Sequence, residues 1–247
     1  MEKSNSKKVQ KPKGLFVQLP VLSKKDCLRA KNTVLELKSE WEVVKRIGPL
    51  NNRRFYRLGS SLEYSTIDQR IYLGRAKLMN PLMKEKFDWL YKKVAKFLSQ
   101  HLGKPVRLRN DISFPGFHIV MNDPVFGKYS APWHFDSGTL HIKWKHQVKM
   151  ADVKAFTIPI SLPSGGGTLD IKNLTFNDVF AEADKRKKVR GAKILGRFPH
   201  KLGHVFIINS HQYHRIGMLR PPFDKKEMRI TLQGYLIPQK DHWIIHW

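Results

Sequence analysis

From Arg107 onward the chain is built from short, punctuated runs, and this restricts its possible folds more than any other feature. Ala155-Phe156-Thr157-Ile158-Pro159-Ile160, Val205-Phe206-Ile207-Ile208 and the run from Arg229 to Leu236 are each bounded by Gly, Pro, Asn or charge clusters. Many short strands separated by turn signals predict a mainly β protein with flanking α-helices, its core a jelly roll or squashed barrel. No period repeats along the sequence, which argues against a solenoid. The first hundred residues read differently. Ser23 with Asp26 three positions on predicts a capped helix start, and Leu28, Val34, Leu35 and Leu37 carry that helix to about Trp41. Residues 47–64 lack a clear period and read as loop and short strand. Asn80-Pro81 predicts a second helix start, followed by Phe87, Leu90, Val94, Phe97 and Leu98 at helical spacing and a stop near Gly103. The expected organisation is a basic tail over 1–14, a helical and mixed support region over 15–106 and the β core over 107–247. At 247 residues these fit one compact domain.

Within the β region, His134-Phe135-Asp136 is followed eighty residues later by His214 and then by Arg229. On a strand, positions two apart share a face, so the His-x-Asp step aims an imidazole and a carboxylate at one point. A second histidine would complete a two-histidine, one-carboxylate face with open positions, which suits non-heme Fe(II) binding a co-substrate and dioxygen. Arg229 offers a planar fork able to grip a carboxylate bidentately, with the Thr231 hydroxyl two residues along the same face.

The order of these elements resembles the Fe(II)/2-oxoglutarate-dependent dioxygenases, and among them the prolyl-hydroxylase-like branch, over roughly residues 111–237. Four matches carry the resemblance: Pro132-Trp133-His134-Phe135-Asp136; Ser164-Gly165-Gly166-Gly167-Thr168-Leu169-Asp170, similar to the family's Gly-Gly-x-Leu turn; the apolar strand from Gly203 to Ser210 leading to His214-Arg215-Ile216; and Arg229-Ile230-Thr231. The resemblance implies a double-stranded β-helix, cupin-like, with Fe(II), 2-oxoglutarate and dioxygen at its open end and ascorbate as a reductant. It assigns the metal to His134, Asp136 and His214, and 2-oxoglutarate to Arg229 and Thr231. His118, on an earlier strand, stands where relatives place a residue touching 2-oxoglutarate. His211 and His214 lie three apart and cannot both point the same way from one strand; the lead-in Ser210-x-x-x-His214 favours His214, leaving His211 a neighbouring donor or a surface residue. An ionised Asp136 favours hydroxylation over halogenation, for which related enzymes replace that carboxylate with chloride.

Charge is the second strong signal. Forty-six basic against twenty acidic residues give +26, and the pI near 10.2 points to a polyanionic partner. Residues 1–14 hold five lysines and one glutamate, so the tail accounts for +4 and leaves +22 elsewhere. The run Asp184-Lys185-Arg186-Lys187-Lys188-Val189-Arg190-Gly191-Ala192-Lys193 marks 184–193 as the expected contact with nucleic acid, a ribonucleoprotein or an acidic protein surface. Trp133, Trp243 and Trp247 are expected to pack in the core rather than stack on a substrate. One cysteine, Cys27, excludes an internal disulfide and fits a reducing compartment; the absence of an apolar leader at the start and of any long apolar run gives an expectation of a cytoplasmic protein, or a nuclear one in a eukaryote, without membrane contact. Hydroxylation of a residue in a protein or peptide is the expected activity. Oxidation of a nucleobase or of a small specialised metabolite is the alternative, although nucleic-acid demethylases carry a second arginine where this chain has Tyr235. A non-catalytic basic binding module on the same fold is the alternative of another class.

Overall fold

A computed structural model describes residues 16–44, 54–62, 68–128, 130–144, 146–180 and 189–247. After β1 (Phe16–Pro20) the chain forms α1 (Lys24–Glu36), capped by Ser23 and Asp26 in the reciprocal box that the sequence predicted. A 3-10 turn at Lys38–Glu40 carries the chain on towards Trp41. The short strands β2 (Glu42–Val43) and β3 (Phe55–Leu58) follow.

The next helix departs from expectation. α2 spans Gln69–Leu102, starts at the N-cap Asp68 and runs straight through Pro81 before ending at left-handed Gly103. Asn80 is therefore no cap. Its buried side chain donates to the carbonyls of Asn110 (3.1 Å) and Ile112 (2.8 Å) and accepts from the Phe114 N–H (3.0 Å). These three bonds fasten the segment leading into the β core, and they offset the helix bond that Pro81 cannot make.

The remaining strands are β4 (Val106–Leu108), β5 (Gly116–Met121), β6 (Lys154–Ser161), β7 (Thr168–Thr175), β8 (Ile194–Pro199), β9 (His204–Asn209), β10 (Gln212–Ile216), β11 (Met228–Pro238) and β12 (Trp243–His246), with short helices α3 (Pro124–Lys128) and α4 (Phe176–Phe180) between them. Among the described residues they form two sheets. The larger has nine strands and runs β1-β9-β6-β11-β5-β3-β2, with β12 and β4 attached beyond β11; the smaller runs β10-β7-β8. The pairing is antiparallel except between β12 and β4.

Alternation along the strands decides what faces what. Ile230, Leu232 and Leu236 of β11, with Ile119 and Phe117 of β5, bury one face of the large sheet against α1 and α2 through Val34, Phe87, Leu90, Val94 and Leu98. The opposite face presents Arg229, Thr231, Gln233 and Tyr235 towards the small sheet. Ala155, Phe206 and Ile208 of the large sheet pack there on Leu169, Ile171 and Phe198 of the small one. The result is the predicted jelly roll, with helices on one outer face and a polar row inside. Gly116 is required in that interior: a Cβ there would sit 2.1 Å from the ring of Trp247, which lies 3% exposed against it. Trp247 is thus a core residue, as expected. Cys27 is buried and free, and burial pushes its thiol up to about 11. No helix among the described residues is long and apolar enough to cross a membrane.

Candidate metal and anion site

His134 does not lie on a regular strand. It forms a single antiparallel bridge to His214, donating its N–H to the His214 carbonyl at 2.9 Å and accepting in return at 3.0 Å. Asp136 follows in the loop, tied by its N–H to the Ser210 carbonyl (3.2 Å) just past β9. Two backbone anchors therefore replace the strand that the His-x-Asp step predicted, and they bring the same side chains together.

His134, Asp136 and His214 offer ligand atoms all within 4.8 Å of one another, and His211 is outside that group. The His134 Nδ1 lies 2.9 Å from the Pro132 carbonyl, and the His214 Nδ1 lies 2.8 Å from the Gln212 carbonyl. Carbonyls only accept, so both Nδ1 atoms carry a proton, and in the neutral imidazole each Nε2 is then the atom left to act as a ligand. Those Nε2 atoms face Asp136 at 3.8 Å and 3.4 Å. With both imidazoles neutral, two lone pairs and a carboxylate converge on one point, an arrangement that a cation between them would satisfy. In the absence of a cation, burial pushes the Asp136 carboxyl up to about 6, opposed by His134 when it is protonated and by a hydrogen bond from Tyr235. Burial likewise holds His214 below the ordinary histidine range. A divalent cation would reverse this balance and favour the ionised carboxylate with neutral imidazoles. The donor set fits Fe(II).

The second charged element is Arg229 on β11. Its side chain is 1% exposed, and among the described residues no carboxylate pairs with it. Its Nη2 donates to the His200 Nδ1 at 3.2 Å, while Nε and Nη1 have no hydrogen-bond partner among the described residues. Burial lowers its pKa to about 10. An uncompensated buried guanidinium is costly, so it implies an anion. Thr231, two residues along on the same face, is wholly buried and accepts from the Gln233 amide at 3.1 Å. His118 lies opposite Thr231 in the β5–β11 register and packs edge-on against Trp247 (5.0 Å) and Phe55 (4.9 Å). The structure therefore sets Arg229, Thr231 and His118 on one interior face.

Sequence reasoning missed two residues. No spacing in the sequence singles out His200, yet burial and the Arg229 charge hold it neutral beside the guanidinium. Tyr235 was noted only for not being arginine, yet it donates to Asp136. Behind it, His246 is fully buried with its ring 5.4 Å from the Tyr235 ring, and its Nδ1 lies 3.3 Å from the Tyr72 hydroxyl. No local pattern announces either contact, because both join segments far apart in the chain. His211 sits in the turn before β10, half-buried, its carbonyl accepting from the Phe176 N–H at 2.7 Å. Of the predicted basic contact 184–193, residues 184–188 lie outside the described residues, while Val189 and Ala192 pack on a small cluster of Phe135, Leu174 and Val179.

No family's sequence model matches the chain, and no curated protein matches it by sequence. Solved structures match it in fold. An N-substituted L-amino acid dioxygenase from Burkholderia ambifaria AMMD superposes with a TM-score of 0.54 at 11% identity, covering 94% of this chain and 86% of that one. AviO1 from Streptomyces viridochromogenes Tue57 gives 0.50 at 15% identity, covering 92% and 90%. SnoN, a non-heme alpha-ketoglutarate-dependent epimerase from nogalamycin biosynthesis, gives 0.50 at 10% identity, covering 94% and 93%. The chain has the double-stranded β-helix fold of the Fe(II)/2-oxoglutarate-dependent oxygenases.

Proposed function

We propose that this protein is an Fe(II)- and 2-oxoglutarate-dependent oxygenase that hydroxylates an amino-acid unit, free or within a peptide. The observation that carries the reading is a pair of opposite charges in one interior, Asp136 partly buried and Arg229 wholly buried, that do not pair with each other among the described residues. The Asp136 carboxylate stands between the Nε2 atoms of two imidazoles, and among the described residues the Arg229 guanidinium has no carboxylate partner. A metal cation satisfies the first and an organic anion the second. His134, Asp136 and His214 would hold the iron through Nε2, Oδ and Nε2. Arg229 and Thr231 would bind the far carboxylate of 2-oxoglutarate, with His118 beside them and His200 fixing the Arg229 fork. When bound, Fe(II) with 2-oxoglutarate and dioxygen would supply the oxidising power for hydroxylating a substrate C–H bond, with oxidative decarboxylation of the 2-oxo acid to succinate and carbon dioxide. Ascorbate would serve as the reductant that keeps such an iron reduced. Tyr235 orients the carboxylate ligand, and the Pro132 and Gln212 carbonyls orient the imidazoles.

For the substrate, the shared fold with an N-substituted L-amino acid dioxygenase supports a free amino-acid derivative, whereas the order of the motifs supports a residue in a peptide. Tyr235 in place of a second arginine weighs against base demethylation. The test is anaerobic addition of Fe(II) and 2-oxoglutarate to wild type and Asp136→Ala, followed by visible absorption. A metal-to-ligand charge-transfer band in wild type alone is the expected result. Its absence from folded wild-type protein would overturn the assignment.

A further inference from the structure

The functional reading leaves the strong positive charge unused, and the outer side of the small sheet gives part of it a definite arrangement. Residues on either side of His214 point away from the metal face. Arg215 on β10, Asp170 on β7 and Arg197 on β8 lie opposite one another across the three strands. The Asp170 side chain is 3% exposed, and its Oδ2 is shared between the Arg215 Nε at 3.2 Å and the Arg197 Nε at 3.8 Å. Two guanidinium groups thus divide one carboxylate. Lys172, two residues along from Asp170, adds a third cation.

Aromatic rings fix these cations in place. Trp133 and Tyr213 each directly precede a residue of the candidate metal centre, and the His134–His214 bridge brings their rings to 5.7 Å at 26°. The Arg215 guanidinium lies 4.5 Å from the centre of the Trp133 ring, and the Lys172 ammonium lies 4.9 Å from it. Both rings and Lys172 are half-buried, and Arg197 remains 53% exposed. Guanidinium on an aromatic face is a preorganised phosphate fork, and half-exposed rings beside cations suit planar bases. The described approach to β8 adds Arg190 and Lys193, the Lys193 N–H donating to the Asn173 side chain at 2.7 Å and the Lys172 ammonium reaching the Val189 carbonyl at 3.5 Å. One small anion would engage only two or three cations, so the supply of charge fits a long partner with regularly spaced negative groups.

We propose that the outer face of β10-β7-β8, through Lys172, Arg197 and Arg215 with Trp133 and Tyr213, binds the phosphodiester backbone of single-stranded nucleic acid beside the candidate metal centre. An acidic peptide would match the cations but would offer no planar groups to the rings. The binding is independent of iron and 2-oxoglutarate, so it stands or falls separately from the oxygenase reading.

The experiment is fluorescence anisotropy of labelled single-stranded RNA and DNA 20-mers with metal-free full-length protein across a salt series. The comparison is with the double variant Lys172→Ala/Arg197→Ala, whose circular dichroism should match wild type. Wild type is expected to bind with an affinity that falls steeply with salt. Each lost phosphate contact lowers the log–log slope by about 0.7 for a single strand, so the double variant should lose about 1.4 and bind roughly tenfold more weakly near physiological salt. No binding up to about 100 µM protein, the weak limit for non-specific sites, would overturn the proposal. So would a double variant with unchanged affinity and slope, or poly-glutamate that competes as well as the oligonucleotide. A preference for RNA over DNA would identify which backbone is bound.

Discussion

Replacing Arg229 with methionine should stabilise the protein without ligands while abolishing its response to 2-oxoglutarate. The fall of the guanidinium pKa from 12.5 to about 10 through burial corresponds to about 3 kcal/mol against the charged form in the folded state. That penalty is present in full at any pH below about 10, so an assay at neutral pH reads all of it. Methionine keeps most of the volume and removes the charge. It also removes the 3.2 Å bond to His200, worth about 1 kcal/mol. The net gain is about 2 kcal/mol, or roughly 4–8 °C in Tm for a domain of this size. The ligand response moves the other way. In wild type, 2-oxoglutarate at a hundred times its Kd, with Mn(II) in place of iron, should add about 2.7 kcal/mol. In Arg229→Met that increment should vanish while metal affinity changes little. Differential scanning fluorimetry with and without the dicarboxylate measures both effects. A variant that is less stable without ligand yet keeps its 2-oxoglutarate shift would show that Arg229 is a structural residue whose charge is matched, and would refute the reasoning.

Tyr235→Phe removes the donor to Asp136 and should weaken Co(II) or Mn(II) binding by about 10–100-fold, with the Tm little changed; unaltered metal titrations would remove Tyr235 from the site. Asn80→Ala deletes three buried hydrogen bonds and should cost about 2–4 kcal/mol in urea unfolding, a loss below about 1 kcal/mol counting against its fastening role. His246, held neutral by burial with its pKa lowered to about 3, binds no proton in the folded state until far below the unfolded value of about 6.5. Stability should therefore fall as the pH drops through that window, by up to about 1.4 kcal/mol per pH unit from this group, and His246→Gln should flatten the slope by about one proton; a slope unchanged between pH 7 and 5 would place the acid sensitivity elsewhere.

What the sequence disclosed and what it hid follow a physical division. Features set by neighbours within a few residues were legible. The Ser23–Asp26 capping box, the Gly103 stop and the strands at Ala155, Val205 and Arg229 all depend on local hydrogen bonds or alternation. The convergence of His134, Asp136 and His214 was legible for a related reason, since two imidazoles and a carboxylate form a recognisable donor set whatever backbone presents them. Asn80-Pro81 misled because capping preference is a local tendency, and here distant contacts override it. Once the Asn80 side chain is committed to Asn110, Ile112 and Phe114, the helix gains more by continuing than by starting there. His200 and Tyr235 stayed hidden because their roles exist only across the gap between sheets, against Arg229 and Asp136.

The two interior charges also determine how the site must fill. Asp136 and Arg229 are opposite in sign, yet no ion pair joins them among the described residues. Each therefore bears its own desolvation cost until a ligand arrives, and the cost is released in steps. A divalent cation bound by two neutral imidazoles and one carboxylate keeps a net positive charge. That residual charge, together with the Arg229 guanidinium, creates a doubly positive interior suited to a dianion with one anionic end for each. Metal should therefore raise the affinity for 2-oxoglutarate, and by linkage 2-oxoglutarate must raise the affinity for metal by the same factor. A monocarboxylate lacking the 2-oxo group would satisfy Arg229 alone and leave metal affinity nearly unchanged. Measured by metal titration in the presence of each acid, that contrast isolates the coupling between the two charges from the strength of either one.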